Sequence, residues 1–161
     1  MSTERRSRCR YQLVSNPLKE VYMPIDADIK LKGHMSEIKA QLHYLESGWE
    51  VFTPLTNTSR ADFVIINKTS GECKKVQVKT VQDNIADGVT YRQCRLLATG
   101  GAYQEHEVDL FFFVHLQTGD MWEANWKDIG HLTSINVGRA DGLGRKPKNS
   151  ELLNSVSEVQ H

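Results

Sequence analysis

Asp62, Gln77 and Lys79 are the residues whose types and spacing suit hydrolytic chemistry. They lie in "ADFVIINKTSGECKKVQVKT", residues 61–80, which reads as two strands joined by a tight turn. Taking residues 68–71 as a four-residue turn with glycine near its end, Asn67 faces Glu72, and counting back puts Asp62 opposite Gln77. Directly opposed side chains share a face, with Cβ atoms about 5 Å apart. Lys79, two residues beyond Gln77, falls on that same face because strand side chains alternate. A slip of one residue would scatter the three. An Asp carboxylate and a Gln carbonyl are hard oxygen donors, the preference of Mg²⁺, which keeps several waters and is held by one or two carboxylates plus substrate phosphate. The Val78 carbonyl adds a further oxygen, and Lys79 is placed to position or deprotonate an attacking water or to neutralise phosphate charge.

The elements that must position this cluster come before and after it. Met35, Ile38, Leu42 and Leu45 recur at three and four residues, the stripe of an amphipathic helix. Ser36 is the expected cap and Gly48 the expected C-terminal stop. Glu37 flanks the stripe. If the stripe packs on the sheet, Glu37 can point to the edge that holds Asp62 and supply a second carboxylate. "WEVFTPL" reads as a short strand stopped by Pro54, "VTYRQCRLLA" as a third strand of alternating character, and "EVDLFFFVHL" as a strand buried on both faces. "MWEAN" follows a turn at "QTGD". Asn125, with Asp128 three residues on, marks the start of a short helix at "WKDI". Asp109 reads as fixing a strand end, and Trp49, Trp122 and Trp126 as core. The sum is a mixed α+β (α/β) fold, with a mostly antiparallel central sheet flanked by helices.

The order Glu on the first helix, Asp opening a strand and Gln-x-Lys on the next resembles the PD-(D/E)XK nuclease superfamily. "KGHMSEIKAQLHYLESGWEVFTPLTNTSRADFVII" followed by "KKVQVKT" is most similar to the branch of group I intron homing endonucleases. It is more distantly similar to archaeal Holliday-junction resolvases. The resemblance implies a restriction-endonuclease-like core over residues 33–131, preceded by an extension (1–32) and followed by a tail (132–161). It implies that Glu37, Asp62, Gln77 and Lys79 are the catalytic set. Glu37, Asp62, Gln77 and the Val78 carbonyl would hold Mg²⁺, with Mn²⁺ able to substitute. Gln77 stands where Glu is commoner and removes one negative charge; Ala61 stands where Pro is usual.

Composition narrows the partners. Twenty basic and twenty acidic residues give no net charge, which argues against a strong whole-molecule attraction to nucleic acid. The charge is uneven, however. Arg5, Arg6, Arg8 and Arg10 crowd the N-terminus, and Arg139, Arg145, Lys146 and Lys148 crowd a Gly-rich stretch near the C-terminus. Both read as basic arms. Arg60, Arg92 and Arg95 are further candidates for phosphate contact. No apolar run approaches the roughly 20 residues of a membrane span, and Cys9, Cys73 and Cys94 lack the spacing of a zinc site. The expectation is a cytoplasmic, Mg²⁺-dependent endonuclease acting on double-stranded DNA as a homodimer or homotetramer, most simply of homing type. Junction resolution and restriction or repair are its alternatives. A catalytically silent nucleic-acid-binding module and a small-molecule hydrolase are the readings from other classes.

Overall fold

The structure, a computed structural model, describes residues 29–139 and 157–158. Its first element is helix α1 (Ile29–Glu46). The expected apolar stripe does not face the sheet. Ser36, Ala40 and Tyr44, spaced four apart, are buried, whereas Ile38, Leu42 and Leu45 are each 52% exposed. Small side chains at Ser36 and Ala40 let the helix axis approach the sheet closely. The Ser36 hydroxyl bonds Thr80 Oγ1 at 2.8 Å, and the Tyr44 hydroxyl donates to Glu123 at 3.0 Å. Ser36 is therefore an interior contact of a helix that opens at Ile29, not its cap. Gly48, at φ +84°, follows the helix end as expected.

Strands β1 (Trp49–Phe52), β2 (Phe63–Asn67) and β3 (Cys73–Thr80) form an antiparallel series. The β2–β3 register pairs Phe63 with Val76 and Ile66 with Cys73, as the turn assignment requires. The turn is closed by the Asn67 carboxamide oxygen, which accepts from Thr69 N and Ser70 N at 2.9 and 3.0 Å. Gly71 supplies the positive φ (+73°) that the last turn position demands.

The chain next forms a ribbon, β4 (Gln82–Ala86) and β5 (Val89–Arg95). Asp87 and Gly88 turn it, both with φ > 0 (51° and 73°), as a two-residue hairpin loop prefers. Two short strands, β6 (Leu97–Ala98) and β7 (Gly101–Ala102), lead to β8 (Leu110–Val114), which returns parallel to β3. Residues 82–108 thus supply four strands between the parallel partners β3 and β8. β9 (Met121–Asn125) pairs antiparallel with β8, and α2 (Trp126–Ile129) follows, with Asn125 at its N-cap but no side-chain capping bond. β10 (Ser134–Arg139) pairs with β5, and β11 (Ser157–Glu158) with β9. Residues 29–32 and 134–139, placed by the sequence in the flanking segments, are part of α1 and β10.

The main sheet runs β1-β2-β3-β8-β9-β11 and a second sheet runs β10-β5-β4. β8 is buried along its whole length and divides two cores. Leu110, Phe112 and Val114 join Phe63, Ile65, Val76, Val78, Ala40 and Tyr44 under α1. Phe111 and Phe113 join Trp122, Cys94, Ile135 and Val137 between the two sheets. Asp109 fixes the start of β8: its carboxylate accepts from Lys75 N at 2.8 Å and its own N donates to Lys75 O at 2.9 Å.

Candidate active site

β2 begins at Phe63 whereas β3 continues to Thr80, so the last residues of β3 extend past the end of their neighbour. A backbone N–H left open there needs another acceptor. Asp62, one residue ahead of β2, supplies it. Its N donates to Val76 O at 2.9 Å, and its Oδ2 accepts from Val78 N at 2.7 Å. The same oxygen accepts from Gln77 Nε2 at 2.7 Å, and that amide group also donates to Val78 O at 3.1 Å. Asp62, Gln77 and the Val78 carbonyl are thereby gathered at one point of the open edge.

Lys79 completes the cluster. Its ammonium group donates to the Tyr103 hydroxyl at 2.8 Å and lies 4.7 Å from the centre of that ring. Burial pushes its pKa down, partly offset by Cys94 and Asp62. Glu37 comes from α1, 3.5 Å from His34, and its charge is felt at Asp62. Burial pushes the Asp62 carboxyl up to about 6, with Glu37 adding to the rise and Val78 N–H, Lys79 and Gln77 opposing it.

Tyr103 had no signal in the sequence, because it lies 24 residues from Lys79 in a stretch without clear period. Arg60 explains how it arrives. The guanidinium donates to the carbonyls of Thr99 (3.1 Å), Gly101 (3.4 Å) and Ala102 (3.1 Å). It also pairs with Glu107 at 3.3 Å and sits 5.0 Å over the Tyr103 ring. Arg60 thus ties the segment bearing Tyr103 to the loop before Asp62. Arg92 is likewise engaged within the chain, paired with Asp120 and stacked on Trp122. Arg95 is exposed. Arg145, Lys146 and Lys148 lie outside the described residues.

Residues 27–141 match the PD-(D/E)XK endonuclease family over most of the chain. The chain belongs to that family. "Protein 5.3" of Escherichia phage T7 is 30% identical over 113 residues, 68% of this chain and 90% of its own length. The bacterial homing endonuclease I-Ssp6803I superposes with a TM-score of 0.66 at 19% identity, covering 81% of this chain and 89% of its own. That likeness establishes a restriction-endonuclease-like fold.

PD-(D/E)XK nucleases generally use divalent metals, and the donor set suits one. Among the described residues no three His, Cys, Asp and Glu side chains come together as a metal-binding group. The Asp62 cluster instead offers a carboxylate, a backbone carbonyl and a carboxamide. The Gln77 –NH₂ donates to both oxygens, so a cation at this point would take its place and the carboxamide would turn its oxygen inwards. Hard oxygen donors suit a hard divalent cation.

The raised Asp62 pKa sets a pH dependence. Its ordinary value is 3.8, so the metal-free fold is favoured by the protonated form and loses that advantage as pH rises through about 6. A cation needs the carboxylate and must expel the proton below that pH. Affinity for a divalent cation is expected to fall about tenfold per pH unit below pH 6 and to level off above it. Isothermal titration at pH 5, 6, 7 and 8 checks this; a flat affinity rejects it.

Proposed function

We propose that this PD-(D/E)XK endonuclease is a Mg²⁺-dependent enzyme of homing type that hydrolyses phosphodiester bonds in double-stranded DNA. The observation that carries the reading is the convergence of Asp62, Gln77, Val78 O and Lys79 on the open edge of β3. The Gln-x-Lys pair and the likeness of fold to I-Ssp6803I support the homing type. Asp62, the Gln77 carboxamide and the Val78 carbonyl would hold the cation, with Glu37 completing the charge. The chemistry a divalent cation supplies when bound there is neutralisation of the scissile phosphate and acidification of a water. Lys79 orients the attacking water or the phosphate, and its lowered pKa eases proton transfer. Attack in line on phosphorus breaks the bond to the 3′ oxygen and leaves a 5′ phosphate. Nicking of supercoiled plasmid with Mg²⁺ or Mn²⁺, abolished by EDTA, is the test. Absence of cleavage, with no cation binding that depends on Asp62, would reject the catalytic reading.

Cutting both strands of a duplex with one site per chain takes two copies related by symmetry. The exposed face of α1 suits that assembly. Leu31, Met35, Ile38, Leu42 and Leu45 recur at four, three, four and three residues, the spacing of a coiled-coil seam, and Leu31 is 51% exposed. Two such helices would bury each other's stripe. Sedimentation at tens of micromolar is expected to give a multiple of 18.3 kDa, and Leu42→Glu the monomer mass with helix content kept. A wild-type monomer rejects the seam.

A further inference from the structure

The β4–β5 ribbon starts three residues after Lys79, and its two faces differ in kind. On one face Asp83 lies opposite Arg92 and Cys94 opposite Ile135; Cys94 and Ile135 sit in the core between the sheets. On the other face Gln82 lies opposite Gln93, Asn84 opposite Tyr91, Ser134 opposite Arg95 and Asn136 opposite Gln93. That second face therefore carries four amides with arginine and small polar groups, on the side away from Cys94 and Ile135.

These are the side chains that read base edges. Asn and Gln bond adenine N6 and N7 in a bidentate manner, and Arg does the same with guanine O6 and N7. A phosphate-binding surface would be rich in Lys and Arg, whereas on this face the amides outnumber the two arginines, Arg95 and, in register with Tyr91, Arg139. Asn84 Nδ2 donates to Gln93 Oε1 at 2.8 Å, so two amides are already locked edge to edge across the strands. Asn136 Oδ1 is buried without a hydrogen-bond partner among the described residues, so this amide borders the face and is not one of its accessible contacts. A cavity of about 760 Å³ adjoins the ribbon, lined by Gln82, Asn84, Gln93 and Arg95 of this face and by Asp83 and Cys94 of the other. Thr80, the last residue of β3, also lines it, so the cavity borders the end of the strand that carries Gln77 and Lys79.

We propose that this face is the sequence-reading surface of the enzyme, with Gln82, Asn84, Gln93 and Arg95 hydrogen-bonding base edges in the DNA major groove. The inference rests on the endonuclease reading for its substrate. The major groove, about 12 Å wide, admits a two-stranded β-ribbon, whereas the deep, narrow groove of A-form RNA does not. Strand rise is about 3.3 Å per residue and duplex rise about 3.4 Å per base pair. Three to five residues of chain from Lys79, Gln82 and Asn84 therefore reach no further than about three to five base pairs from it.

The test is selection of bound duplexes from a randomised DNA pool in EDTA, so that binding is read without cleavage. Wild-type protein is expected to enrich a motif. Gln93→Ala and Arg95→Lys should each lose about tenfold or more discrimination at their own positions while the remaining positions persist. Arg95→Ala separates the two kinds of contact: discrimination lost at one position marks a base contact, whereas a uniform loss with the salt slope reduced by about one marks a phosphate contact. Ile85→Ala, on the opposite face, should leave the motif intact. No enriched motif, a motif unaltered in both variants, or preference for RNA would overturn the proposal. If a face-dependent motif appears but plasmid is never nicked, the reading surface stands and the catalytic assignment falls.

Discussion

Asp62→Asn is expected to lower the rate of metal-dependent plasmid nicking by about 10³-fold or more and to leave the fold intact. The two halves of that result have separate physical origins. The amide oxygen of Asn can still accept from Val78 N, so the open edge of β3 is not left with an unsatisfied donor, whose cost would be about 1–3 kcal/mol. The charge, however, is gone. A neutral amide pair at residues 62 and 77 leaves Glu37 as the remaining acid, too little to hold a divalent cation against water. Because burial holds the ionised carboxylate at a cost, with its pKa pushed up to about 6, Asp62→Asn should melt no lower than wild type at pH 8. Lys79→Ala should lose about 10²–10³-fold, the scale of removing one electrostatic stabiliser or acid–base group, with cation affinity little changed. Single-turnover nicking and thermal melting of both proteins provide the measurements. Undiminished nicking by Asp62→Asn would remove Asp62 from the mechanism.

The parts of this site that were legible in the sequence are those encoded by short-range alternation. One turn, closed by Asn67 and Gly71, determines the register of β2 and β3, and the register places Asp62 opposite Gln77 with no further information. Asp109 was readable for the same reason, as a polar residue at the start of an apolar strand. Helix α1 was misread because hydrophobicity alone does not say which face meets the sheet. The closest approach is made by Ser36 and Ala40, chosen for size and for the bond to Thr80. The better apolar stripe is left facing outwards, where the proposed seam would use it. Tyr103 and the engagement of Arg60 were not readable at all. They depend on β6 and β7, two-residue strands with no period, held by a guanidinium that bonds three carbonyls. Arg92 shows the same limit: its charge was evident, but pairing with Asp120 depends on how the ribbon folds over β8 and β9.

Phe112→Ala carries the largest expected effect on stability, about 3–5 kcal/mol, a large share of the 5–15 kcal/mol typical of a domain. Phe112 is fully buried in the strand that divides the two cores. Its ring lies 5.3 Å from that of Tyr44 and 5.5 Å from that of His43, and its register partner on β3 is Val78. Truncation opens a cavity beneath α1, the helix that carries Glu37, and behind the carbonyl that completes the donor set. The neighbours on either side face the other core. Phe111 and Phe113 pair in register with Gln77 and Lys79, and the Tyr103 ring meets Phe111 at 5.4 Å. A cavity at Phe112 therefore loosens the helix side of the site, and one at Phe111 loosens the Lys79–Tyr103 side. Urea unfolding should find both alanine variants severely weakened and Phe112→Leu, which keeps most of the volume, weakened by less than about 1.5 kcal/mol. In the fraction still folded at low temperature, Phe111→Ala should lose more nicking activity than Phe112→Ala, because Lys79 is held from that face. A loss below about 1 kcal/mol for Phe112→Ala, set against the range for such truncations, would mean that β8 does not bear the packing of α1.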